Sequence, residues 1–158
     1  MTRKTSNVLE IMRGLLSTSV ADTLTSEAFN TPVRYKDNEA MLIWDIWFSL
    51  GTGFDVGHAD GDEMEVSLSD EEGDRDYQHD GLVAKYSELL SVDGNSMILV
   101  NKSGHTHWHF DPPLLYAKQQ IWFNTSSVGI GTTIQNRFRI GYTIEKVSDQ
   151  VFIDALTE

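Results

Sequence analysis

His105, His107 and His109 alternate along the run GHTHWHFD. On an extended strand, residues two apart share a face, so all three imidazoles would point the same way, with Asp111 continuing the row. Three imidazoles on one face are a ligand set for zinc, iron or nickel. The bland use of the same row is a solvated or inter-subunit histidine face that titrates near neutral pH. A His-x-His strand also belongs to the cupin pattern. There a Glu follows closely and a second Gly/Pro/His motif comes later. Here the next Glu after His109 is Glu145, and no His follows at all.

The acidic residues are the second group with chemical potential. Of the net charge of -12, a share of -10 lies between Asp55 and Asp80, where eleven acids stand against Arg75. Hard oxygen ligands in a loop suit calcium or magnesium. Asp76 to Gly81 imitates the opening of an EF-hand loop, but Ser87 stands at its twelfth position and Glu88 comes one place late. A solvated loop that keeps an assembly soluble is the plainer use. Asp45 sits alone in the apolar run MLIWDIWFSL. If buried, its carboxyl would hold its proton more tightly, as an acid catalyst requires, but such an Asp usually bonds backbone at a bulge or edge. SSVGIGTT lacks the Gly-Lys-Ser/Thr ending of a phosphate-binding loop and reads as a turn. No Ser-His-Asp context stands out. The expectation is a protein that is not an enzyme, without a resident cofactor unless the histidine row takes a divalent metal.

The elements around these residues read mostly as strands. Phe138, Ile140, Tyr142 and Ile144 alternate with Arg137, Arg139, Thr143 and Glu145, the period-two mark of a strand with one dry and one wet face. Met41–Leu50 suits a central strand covered on both sides. Further strands are predicted at 20–29, 64–68, 82–90, 97–100, 106–110 and 114–123, with Asp93-Gly94 as a turn; the spacing of Leu82, Val83, Tyr86, Leu89 and Leu90 would also suit a helix, but the surroundings favour a strand. Two helices are predicted. Val8, Ile11, Met12, Leu15 and Leu16 give residues 6–17 helical spacing, with Ser6 as cap. Ser148 would cap a short terminal helix whose apolar face is Val151, Phe152, Ala155 and Leu156.

Composition agrees with one domain. The 158 residues are 40% hydrophobic and include four Trp, seven Phe and five Tyr, large enough side chains to fill a sandwich interior. Trp44, Trp47, Trp108 and Trp122 are candidates for core or interface anchors. There is no cysteine, so disulfide and thiol chemistry are excluded. No run approaches the roughly twenty apolar residues of a membrane span, and the first residues lack the apolar core of a secretory signal. Outside 55–80 the chain is nearly neutral and shows no basic stripe, so direct nucleic-acid binding is not expected.

About eight short strands with frequent turns give an all-β antiparallel sandwich or barrel. Two stretches add more: FDPPLLYAKQQIWFN (110–124) and RFRIGYTIEKVSDQVFIDAL (137–156). They resemble the last strands of the single jelly-roll capsid proteins of small icosahedral viruses. In that family an Asp-Pro-Pro-like opening leads the penultimate strand, and an R-I-x-Y strand is followed by a short helical tail. The resemblance covers the C-terminal third by pattern and the rest by strand count. It implies an eight-stranded jelly roll over 20–158 and a structural coat protein of the virion, with the amphipathic arm or helix read from spacing occupying 1–19. The partners it implies are copies of the chain, with other capsid proteins or an inner membrane reached by the arm. The family's basic N-terminal arm is missing here, which points to a shell lying on an inner membrane or to one that leaves genome contact to another protein. Two rival readings stand beside it, a cupin-like metal protein and a sugar-binding β-sandwich using exposed Trp.

Overall fold

The alternation in 134–146 is realised fully. In the computed structural model, Ile134–Lys146 is a continuous strand whose Phe138, Ile140, Tyr142 and Ile144 are buried while Arg137, Arg139 and Glu145 face water. The structure describes residues 9–18, 22–51, 59–73, 81–92, 98–131 and 133–157. Among them are nine strands: β1 (Glu10–Thr18), β2 (Thr23–Asn30), β3 (Glu39–Ser49), β4 (Glu63–Ser69), β5 (Leu82–Val92), β6 (Ile98–Gly104), β7 (His107–Tyr116), β8 (Gln120–Val128) and β9 (Ile134–Lys146). A short 3-10 turn covers Tyr35–Asp37, and one helix, α1 (Asp149–Thr157), ends the chain.

The strands form two antiparallel sheets packed as a sandwich, with orders β1-β9-β3-β7 and β2-β8-β4-β5-β6. The pairing is nested: β1 lies against β9, β2 against β8, β3 against β7, and β4–β5–β6 form the hairpins at the centre of the chain. Between the sheets lie Met41, Ile43, Ile46, Phe48, Phe138 and Ile140 from one side and Val66, Leu68, Ala84, Tyr86, Ile121 and Phe123 from the other. Burial of these apolar surfaces is the main drive for the two layers to close.

Several expectations change. The N-terminal helix is replaced, over its described part, by strand β1. Its apolar residues occupy both faces: Leu16 points inward and is buried, while Ile11 and Leu15 point outward. Two half-filled strand faces imitate one helical stripe when read in sequence. Gly14, a poor helix residue, is also the point where β1 crosses the Phe138 ring; an added Cβ would lie 2.1 Å from Phe138 Cε1. Nine ladder partners on β9 decide the matter. Residues 1–8 lie outside the described residues, as do the Asp93-Gly94 turn and the two ends of the acidic run, with Asp55, Asp74, Asp76 and Asp80.

The predicted strand 114–123 is split: β7 ends at Tyr116 and β8 starts at Gln120. β7 is an edge of its sheet, the place where Pro112 and Pro113, which lack N–H donors, are tolerated. The turn expected in SSVGIGTT starts later, because β8 runs to Val128. α1 is where it was expected, and Ser148 caps it: its hydroxyl accepts from Val151 N–H and its carbonyl from Phe152 N–H. Phe152 is buried, and Ala155 and Leu156 pack beside the core, but Val151 faces out at 42% exposure.

Candidate functional site on the outer face of the four-stranded sheet

A bulge in β3 builds this face. Met41 and Ile43 point to the core; between Ile43 and Asp45 the register slips against both neighbours, and Ile46 and Phe48 then take over the inward positions. A bulge inserts one residue and reverses the in-out parity beyond it. Trp44, Asp45 and Trp47 consequently look away from the core. The run MLIWDIWFSL is therefore central in its sheet but not covered on both faces.

Cross-strand registers lay out two rows. Arg13 pairs with Arg139, Arg139 with Trp47, and Trp47 with His107, spanning all four strands. In the next row Ile11 meets Gly141, Gly141 meets Asp45, and Asp45 meets His109. The Trp47 indole stacks on the His107 ring at 4.9 Å and 10°. It also lies over the bare backbone of Gly141, where an added Cβ would stand 3.3 Å from the indole. A groove of about 430 Å³ runs beside it, lined by Ile11, Trp47, Ser49, Arg137 and Arg139.

Asp45 joins the two histidines. His107 Nε2–H and His109 Nδ1–H both donate to Asp45 Oδ1, at 2.8 and 2.9 Å. Burial alone would raise the Asp45 carboxyl, but hydrogen bonds and positive charge from His109 and His107 more than offset it, and the group titrates below the usual carboxylate range. A depressed carboxylate stabilises the fold above its unfolded pKa, and that contribution disappears as pH falls through the folded value. The stability difference between the wild type and Asp45→Asn should therefore be present above about pH 4 and shrink on acidification below it. Urea midpoints of both proteins from pH 3 to 7 check this; a difference that stays constant with pH would contradict it.

His105 does not join them. Gly104, at φ 77°, turns the chain between β6 and β7, and β7 begins only at His107. The alternation thus breaks before it reaches His105, whose ring meets Trp108 edge-on at 5.1 Å. Trp108 points inward, and its Nε1–H donates to the Lys85 carbonyl of β5. Among the described residues no three His, Cys, Asp or Glu side chains gather as a metal set would. Asp111 is exposed on β7 beyond the pair. Of the other Trp residues, Trp44 donates to Thr143 on this same face, and Trp122 is half-buried on the opposite sheet.

The company this site keeps is not legible in the sequence: the alternation of β9 puts Arg137 and Arg139 on a wet face, but the helical spacing of 6–17 hides that Arg13, Ile11 and Leu15 lie beside them on β1. Leu9, Ile11 and Leu15 are 48%, 50% and 44% exposed. Among the described residues no carboxylate lies within ion-pair distance of Arg13, Arg137 or Arg139.

The outer face of the five-stranded sheet is of opposite character. Asn124 donates from its side-chain amide to the hydroxyls of Ser67 (3.2 Å) and Ser69 (2.7 Å). Residues 70–73 fold over them: Gly73 N–H donates to Asn124 Oδ1 at 2.9 Å, and the Ser69 hydroxyl donates to the Glu71 carbonyl at 2.7 Å. The segment holds Asp70, which pairs with Lys118, and exposed Glu71 and Glu72. In comparisons with known proteins, the chain matches no protein-family model and no curated protein.

Proposed function

We propose that this chain is a structural coat protein: a jelly-roll subunit that assembles with copies of itself into an icosahedral virus shell. The observation that carries the reading is the nested strand pairing, first with last, second with second-last and third with third-last, closed at the centre by hairpins. Rolling a long hairpin in this way is what makes two four-stranded Greek-key sheets, with β6 as an addition at one edge. The same architecture serves lectins and cupins, so fold alone does not choose among them. A subunit reading is favoured by the exposed Leu9, Ile11 and Leu15 beside the half-buried Trp47 on one face, since a monomer gains nothing by exposing apolar side chains together. The C-terminal sequence resemblance points the same way.

Negative-stain microscopy of concentrated protein tests it, with closed particles of uniform diameter as the expected result; dispersed single subunits under every assembly condition would refute it. A metal-binding role would use His107 and His109 but needs His105 to leave Trp108 for the other side of the strand. A rise in melting temperature on adding zinc, lost in His107→Ala, would support that role over the first.

A further inference from the structure

We propose that the arginine-bearing outer face of the four-stranded sheet docks onto a second copy of the chain, through that copy's acidic segment at Glu71 and Glu72. The inference rests on the self-assembly reading above and names the surfaces that would carry it.

Three observations select this occupant. The face combines Trp47, Arg13, Arg137 and Arg139 with the exposed aliphatics Leu9, Ile11 and Leu15. Aromatic and Arg side chains are the types enriched at protein interfaces, whose buried centre is more apolar than the surface around it. A groove of about 430 Å³ runs beside Trp47 and the two arginines of β9.

Charge supplies the second argument. The chain carries -12 overall, yet this face presents three arginines with no described carboxylate partner. The complementary sign is displayed on the other layer of the sandwich, where Glu71 and Glu72 are exposed over the five-stranded sheet. Copies of so acidic a chain repel one another unless opposite patches meet.

Geometry supplies the third. A two-fold contact of this face with itself would set each arginine cluster against its own copy, a like-charge arrangement. Because the two patches lie on opposite layers, the contact that joins them is head-to-tail, the kind that propagates beyond a dimer. A nucleic acid fits less well. Three arginines neutralise few phosphates, and Leu9, Ile11 and Leu15 offer a phosphate backbone nothing.

Charge exchange tests the inference on the full chain by sedimentation velocity. Arg137→Glu/Arg139→Glu and Glu71→Lys/Glu72→Lys are each expected to weaken self-association roughly tenfold or more. An equimolar mixture of the two is expected to restore it, because each variant then meets its opposite. The milder Arg137→Ala/Arg139→Ala pair should move association in the same direction, and far-ultraviolet circular dichroism checks that each variant is folded. Variants that associate like the wild type, or a mixture that stays dissociated, overturn the interface. So does normal association with loss only of co-purifying nucleic acid. A wild type that never associates refutes the shell reading and this contact together. Association through these patches into open chains refutes the shell alone.

Discussion

Phe138→Ala is expected to destabilise the fold by about 3–5 kcal/mol, the range for removing a buried aromatic side chain. Phe138 is 1% exposed and stands where three strands from two sheets converge. Its ring meets Phe29 of β2 edge-on at 5.0 Å and Phe123 of β8 at 4.9 Å, and Phe48 of β3 stacks against Phe123. Such aromatic pairs add about 0.5–1.5 kcal/mol beyond the area they bury. Gly14 lets β1 pass directly against the same ring. Truncation would leave a cavity that β1, an edge strand with one ladder neighbour, must bridge. Urea unfolding checks the magnitude; a loss under about 1 kcal/mol would mean that the two layers can close over the gap. Loosening β1 would displace Ile11, Arg13 and Leu15 together, so the variant should also weaken the proposed self-association.

Asn124→Ala should act on the opposite layer. Asn124 is fully buried although it lies on the outward side of β8, because residues 70–73 cover it. The substitution strips Gly73 N–H of its acceptor and removes the donor to the Ser67 and Ser69 hydroxyls. Leaving buried polar groups unpaired costs about 1–3 kcal/mol. The expected signature is local as well as global: faster hydrogen exchange at Gly73, with little change at the β9 amides that pair with β3. Unchanged protection at Gly73 would contradict the role of Asn124 in holding the segment. Since that segment presents Glu71 and Glu72, the variant should also weaken self-association without altering any charge.

The sandwich was legible wherever one strand face is apolar and the other polar. β9 shows this best, and β4, with Met64, Val66 and Leu68 inward, follows the same rule. α1 was legible from its cap and from Phe152. β1 was not, because apolar residues on both faces of a strand at a protein surface have no period of their own. Its identity comes from β9, more than a hundred residues away. β3 was recognised as a strand, and the lone Asp45 hinted at a bulge or edge, but the sequence does not say that the bulge puts Trp44, Asp45 and Trp47 on one face. The histidine row stops at His107 for a related reason. Spacing of two implies one face only while the strand continues, and Gly104 turns the chain just before His105. The pairing of Asp45 with His107 and His109 joins residues more than sixty positions apart, which no local pattern encodes.

Sedimentation velocity of the wild-type protein over a wide concentration range bears most directly on the claim that this is a self-assembling subunit. A fast-sedimenting species of defined size should grow at the expense of the 17.8 kDa subunit as concentration rises. A single boundary at the mass of one chain, unchanged at the highest concentration and at every salt tested, would contradict it.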